Sequence, residues 1–451
     1  TAGLQLTDSV SGAEALREEM LIRVGNIYLR RGRPEDAPRF FTRALKSASA
    51  MGKKLLEGYA MIQLGHCASK AASADAADMY RAAAELLDSL GVPWARAYAH
   101  GCLGAHALRQ NRVSEALTSF TKAAGFERAA PFTRDAFDIF IDCERTFYDL
   151  EHRSPSEAAT ELLLQLQKTE EAFLTFERRR RTLLMSAYND MEPRTKRQAL
   201  DDGLQTFARA RGDYIGAVQR LAEVSAEYNP YKPLTDGLKR AVVSTGKRVQ
   251  QLGDSLGAAY PRMGVVFTTE PVPLAQLQRH IPEGTALVVY IPTPRTLSLL
   301  LLSRSGASVT VSSIGKAALR DLMSEYSTAL SRAAQERGPQ GVSDLRLREI
   351  SARLYGLLIR PIERSAGRIQ RLVVALPPDL PLIPLHALQQ EGARGAFAIQ
   401  RFAFQYCADP GILQTGRPSL RLYPRVVGFG NPGRTSVDVE YEIRDAQAFF
   451  R

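Results

Sequence analysis

The chain has 451 residues, 45% of them hydrophobic and 24% charged; this excludes wholesale disorder and exceeds one compact core, so two or three domains are expected. No apolar run approaches the length needed to cross a bilayer, that around residues 297–302 being strand-sized; the first residues carry no signal-peptide pattern, and four scattered cysteines come without any Asn-x-Ser/Thr sequon, so a soluble, cytoplasmic protein is expected. The net charge of +11 gathers toward the end, where residues 263–451 hold 22 basic and 15 acidic side chains. Such an excess aids solubility and weakly favours acidic partners without specifying a fold.

Residues 1–130 repeat with a period near forty. Gly25 is followed by Ala37, Phe41 and Ala44; Gly65 by Ala77, Arg81 and Ala84; Gly104 by Ala116, Phe120 and Ala123. Each glycine lies twelve residues before the first alanine, and the next two positions recur at fixed offsets. Small residues on one helix admit a second helix closely, and a large side chain fills the groove between them. Gly32-Arg33-Pro34-Glu35 and Gln110-Asn111-Arg112 supply turns. The pattern resembles the tetratricopeptide repeat (TPR), with Arg81 marking the middle copy as degenerate. The resemblance implies a surface for a protein or peptide partner; a helical spacer without a ligand is the plainer alternative. His66, Cys67, His100, Cys102 and His106 fall inside this region. Their spacing lacks the paired-cysteine pattern of zinc sites, so no metal is expected and buried core residues are.

Residues 131–262 form a helical connector. Ser154-Pro155-Ser156-Glu157 has the form of a helix start, and Leu162, Leu163, Leu166, Phe173, Phe176 and Leu183 make an amphipathic stripe. The run Arg178 to Arg181 circles a helix rather than forming one patch. Solvated faces and contacts with Glu170, Glu171 and Glu177 explain it better than nucleic acid, so direct nucleic-acid binding is not expected. Thr245-Gly246-Lys247-Arg248 lacks the glycine and hydroxyl of a phosphate loop, and no cofactor is expected.

From residue 263 strands appear. Residues 286–291, 297–302, 308–311 and 371–376 are apolar or β-branched runs between turns, with helices over 316–333 and 345–359. A further strand and helix are expected over 425–430 and 439–450. The order of Pro273-Leu-Ala-Gln-Leu-Gln, Leu354-Tyr-Gly-Leu-Leu-Ile-Arg-Pro-Ile, Leu372-Val-Val-Ala-Leu-Pro-Pro-Asp, Leu382-Ile-Pro-Leu-His-Ala-Leu and Val426-Val-Gly-Phe-Gly-Asn-Pro resembles a CHAT domain, the caspase-like module associated with TPR arrays. The fold class expected is thus an α-helical TPR-like solenoid and helical connector followed by the N-terminal part of a caspase-like α/β module over residues 263–451.

The resemblance implies a cysteine endopeptidase, in which a His and a Cys at strand ends form a dyad acting on a protein substrate. No segment matches the family's His-Gly motif or its later Cys motif, so no catalytic residue is carried over, and the rest of the module is expected beyond Arg451 or in another chain. His386 and Cys407 lie in stretches that match non-catalytic parts, so packing roles are expected for both. The function expected is the regulatory and structural portion of a TPR–CHAT peptidase. A non-catalytic scaffold or interaction protein is the alternative.

Overall fold

A glycine set against an aromatic ring spaces the first six helices. In the computed structural model, which describes residues 14–127, 154–190, 202–227, 232–259, 270–335, 342–365, 367, 369–392, 395–407 and 410–414, these are α1 (Glu14–Arg30), α2 (Pro38–Ala50), α3 (Lys54–Lys70), α4 (Asp75–Leu90), α5 (Pro93–Arg109) and α6 (Val113–Glu127). They pack as three consecutive pairs. A Cβ added at Gly25 would stand 2.4 Å from the Phe41 ring, and one at Gly104 would stand 2.8 Å from Phe120. Ala37, Phe41, Ala44, Ala116, Phe120 and Ala123 are all buried, as the repeat spacing requires.

The middle pair corrects the expectation built on Arg81. The ring against Gly65 is Tyr80, 2.8 Å from a Cβ placed there and fully buried, whereas Arg81 is exposed and pairs with Asp78 at 2.6 Å. The ring comes fifteen residues after Gly65, against sixteen after Gly25 and Gly104. Gly32, Ala72 and Asn111 each take a left-handed conformation, φ 72°, 54° and 57°. After each, an amide reaches back to close the helix: Arg33 to the Tyr28 carbonyl at 3.0 Å, Ser73 to Ala68 at 2.9 Å, Arg112 to Ala107 at 2.9 Å. From that shared turn the ring comes one residue earlier in the middle pair, so the copy is intact but out of phase.

Ser154 caps α7 (Pro155–Gln165) with a reciprocal box: its Oγ accepts from the Glu157 amide at 3.2 Å while Glu157 Oε2 accepts from the Ser154 amide at 2.9 Å. The stripe from Leu162 to Leu183 is interrupted at Gln167, φ 58°, where α7 gives way to α8 (Thr169–Asp190) and Leu166 is left exposed. Two long helices follow, α9 (Asp202–Ala226) and α10 (Lys232–Ala259). These four helices serve different cores. Ala158, Ala159 and Leu162 of α7 join the core of the paired helices, as do Val218 and Leu221 of α9 and Val242 of α10, while Phe173 and Phe176 of α8 pack under the sheet.

The remaining elements are α11 (Leu274–His280), β1 (Thr285–Pro292), β2 (Leu297–Ser303), β3 (Gly306–Ser312), α12 (Lys316–Gln335), α13 (Val342–Leu358), α14 (Arg360–Ser365), β4 (Arg371–Ala375) and β5 (Ala403–Tyr406). The strands lie in the order β3-β2-β1-β4-β5. β1–β2 and β2–β3 are antiparallel; β1–β4 and β4–β5 are parallel, with Leu287 opposite Val373 and Val373 opposite Gln405. Strands covered on both faces read as continuous apolar runs, which is why β1, β2 and β4 were visible in the sequence. Their alternate residues serve two cores. Val288, Tyr290, Leu372 and Val374 meet α12 and α13; Leu287, Val289, Val373 and Ala375 meet α8 and α11. The chain is thus mostly helical with a small mixed sheet toward its end, a helical plus α/β protein. The strand and helix expected over 425–450 lie outside the described residues.

Candidate functional site

In open α/β sheets, ligands and catalytic groups gather beyond the carboxyl ends of the parallel strands. Here β1 runs out at Pro292 and Thr293, and β4 runs into Pro377, Pro378 and Asp379. The turn after β1 is tied down locally: the Thr293 amide donates to the Thr296 carbonyl at 2.7 Å, and the Thr293 carbonyl accepts from the Lys316 amide at 2.8 Å, which fixes the start of α12.

Against this edge stand α7 and α8. Lys316 Nζ donates to Glu157 Oε1 at 2.6 Å and also pairs with Asp379. Arg179 reaches Glu157 at 3.3 Å and the Ser154 hydroxyl at 3.3 Å. Burial pushes the Glu157 carboxyl up, but Arg179, Lys316 and the Ser154 amide outweigh it and hold the group below its ordinary range. Two acids and two cations, all largely shielded from water, make a charge-balanced clamp with no nucleophile in it. The clamp joins the cap of a helix rooted in the paired-helix core to the ends of two parallel strands.

The arginine run is absorbed by the same junction. Arg180 and Glu177 are both 1% exposed and pair at 2.6 Å. Arg181 donates to the Glu270 carbonyl at 2.8 Å, and Arg178 pairs with the Glu270 carboxylate at 3.3 Å. Contact with Glu177 was expected; burial of Arg180 and Arg181 was not. Glu170 instead accepts from the Leu274 amide at 3.0 Å, and Glu171 pairs with Lys168. A recess of about 250 Å³ opens between α6, α7 and α8, with Arg178 and Arg179 at its wall, both already facing carboxylates.

His386 and Cys407 fall on opposite faces of the sheet. His386 sits in a short 3-10 turn with its Nδ1 3.1 Å from the Tyr406 hydroxyl and its ring against Phe404, on the α12–α13 side; burial lowers its pKa. Cys407 donates its amide to the Val374 carbonyl at 2.9 Å, and its side chain packs with the core on the α8–α11 side. A thiol and an imidazole need hydrogen-bond reach to act together. The sheet lies between these two.

The histidines and cysteines of the repeats are likewise distributed among separate partners. His66 Nδ1 meets the Tyr80 hydroxyl at 2.8 Å, and its Nε2 faces the Tyr98 hydroxyl at 3.4 Å and Cys102 Sγ at 3.8 Å. Burial, then the charges of Arg109 and Lys70, push its pKa down to about 3, so the ring is neutral. Burial pushes the Cys67 thiol up to about 12, which keeps it protonated. His100 Nε2 lies 3.0 Å from Asp88, a carboxylate shared with Arg96 and Lys122, and His106 Nδ1 lies 3.3 Å from the Ser69 hydroxyl. Among the described residues no three such groups converge as metal ligands would.

Sequence reasoning missed the clamp. The Ser154-x-x-Glu157 pattern marks a cap, but Lys316 and Asp379 are too distant along the chain to leave a local trace. Among the described residues, no helix is long and apolar enough to cross a membrane. No curated protein matches the chain. Residues 348–448, from α13 through β4 and β5 and onward, match the family model of the CHAT domain, so this part of the chain is similar to a CHAT domain.

Proposed function

We propose that the chain is the regulatory and structural portion of a TPR–CHAT caspase-like cysteine endopeptidase. Its paired helices are TPR repeats that bind a protein partner, and its α/β part contributes strands to a peptidase that cleaves a protein substrate. The observation that carries this reading is the clamp at the carboxyl edge of β1 and β4, bordering a region similar to a CHAT domain. In the caspase-like clan the dyad stands at that kind of edge: the imidazole takes the thiol proton, the thiolate attacks the scissile carbonyl, the C–N bond breaks as the imidazolium gives its proton to the leaving amine, and water then hydrolyses the thioester to acid and free thiol. α7 is the mechanical link, because it packs into the repeats through Ala158 and Leu162 and grips the strand ends through Glu157.

The intact gene product, assayed on a candidate protein substrate with and without its partner, tests this. Partner-dependent cleavage that survives His386→Ala and Cys407→Ala is expected. Loss of cleavage in either variant, with folding retained, would move the dyad into this chain and overturn the assignment. No cleavage in any state would leave the non-catalytic scaffold.

A further inference from the structure

The second helices of the first two pairs turn opposite charges to solvent at matching positions. With the packed ring as the register mark, Phe41 in α2 answers to Tyr80 in α4. Two residues before the ring stand Arg39 and Asp78, and five after it stand Lys46 and Glu85. All four are exposed. Residues seven apart complete about two helical turns, so each like-charged pair shares one face and is spaced about 10 Å along the axis. Arg43 joins the basic face, where α4 has Ala82. The third pair does not continue the pattern: Thr118, Lys122 and Gly125 hold these positions.

These charges are largely uncommitted. Among the described residues, Arg43, Lys46 and Glu85 have no ion-pair partner. The Arg39 guanidinium lies over the Phe40 and Tyr28 rings, 4.8 Å and 5.8 Å from their centroids. Stacking of that kind steadies the cation and leaves its N–H edge available to an acid. Asp78 pairs with Arg81, but the two side chains are 80% and 50% exposed, a contact that an incoming cation can share. α2 and α4 both pack on α3 and, with one helix and two short turns between them, run in the same direction.

We infer that these two faces bind a second copy of the chain about a two-fold axis parallel to the helices and lying between α2 and α4. Such an axis lays α2 of one copy along α4 of the other in the same direction. Arg39 then comes opposite Asp78 of the second copy, and Lys46 opposite its Glu85. The symmetry repeats both contacts, as an isologous interface does. Arg43 comes opposite Ala82, where no like charge opposes it. A uniformly acidic partner would meet repulsion at α4, and a uniformly basic one at α2. The surface that answers both helices carries both signs at a seven-residue spacing, and the chain presents that surface itself. Exposed ion pairs are individually weak and screened by salt, so the dimer is weak and salt-sensitive.

Sedimentation equilibrium of the full 451-residue chain tests this. The association constant of the wild type is expected to fall at least about tenfold between about 50 and 500 mM sodium chloride. Two charge-reversed variants are then compared, Arg39→Glu/Arg43→Glu/Lys46→Glu and Asp78→Lys/Glu85→Lys. Each alone places like charges across the axis and is expected to associate at least about tenfold more weakly than the wild type. An equimolar mixture of the two restores opposite charges at every contact and is expected to form a heterodimer at least as tight as the wild-type dimer. A wild type that stays monomeric at low salt overturns the inference, as does association that salt leaves unchanged. Those two readouts stand even if a variant fails to fold. With wild-type helicity in both variants, a mixture that associates no better than either component overturns it too.

Discussion

Arg180 is the largest of the fully buried side chains, and its guanidinium donates two hydrogen bonds to the Glu177 carboxylate three residues earlier. Removing one partner of a buried ion pair costs about 3–5 kcal/mol, more than the pair itself contributes over an apolar replacement. Glu177→Ala is therefore expected to lower unfolding free energy in urea by that amount, and Glu177→Ala/Arg180→Met to recover most of it. His66 gives a second residue-scale prediction, this time in pH. Its folded-state pKa near 3 lies below the ordinary 6.5, so the unfolded chain takes up a proton that the folded chain refuses. The group leaves stability intact above pH 6.5 and subtracts from it as pH falls from 6.5 toward 3. Between pH 7.5 and 5.5 the wild type should lose about 1.4 kcal/mol more than His66→Leu, read from urea midpoints at each pH. Equal losses in both proteins would show that His66 is protonated in the fold.

At the scale of elements, the pairs are set by glycine-to-ring contacts and by one left-handed residue per turn. Gly104→Ala pushes a methyl into Phe120 at 2.8 Å and is expected to cost about 1–3 kcal/mol. Gly125→Ala, on the exposed side of α6 with nothing within 4 Å, should instead stabilise by about 0.5–1 kcal/mol, and thermal melts of the two variants separate the effects. Ala72 holds φ 54° where its counterparts are Gly and Asn, so Ala72→Gly should relieve about 1 kcal/mol of backbone strain. These elements were legible in the sequence because helix periodicity, caps and β-branched runs are local signals. The slip at Tyr80 shows the limit: a fixed offset from Gly65 cannot register a ring that comes one residue sooner, since only the packed ring marks the phase. β5 escaped for a related reason, being four residues, Ala-Phe-Gln-Tyr, without an apolar run. The clamp was invisible because charge pairing between α7 and the strand ends has no periodicity at all. Lys316→Met should expose its role by weakening the protein by about 2 kcal/mol in urea, with hydrogen exchange rising first at the end of β1.

Across the whole molecule the sheet is assembled from segments remote in sequence, and among the described residues the match to the CHAT domain takes in two of its strands, β4 and β5. The core strand β1 lies before the matched residues, yet it pairs in register with β4 from Thr285–Arg371 to Val289–Ala375. This pairing sets a timetable for synthesis. Once β1 leaves the ribosome it can find β2 at once through a short turn, but its other edge waits for about 85 more residues, roughly 4–17 s at ordinary translation rates. During that interval a strand buried along its whole length in the fold has an open edge, and until residue 358 is made it lacks the cover of a complete α13. A nascent chain stalled between residues 303 and 371 should therefore be the form that trigger-type chaperones hold longest, and crosslinking of stalled ribosome complexes would show it.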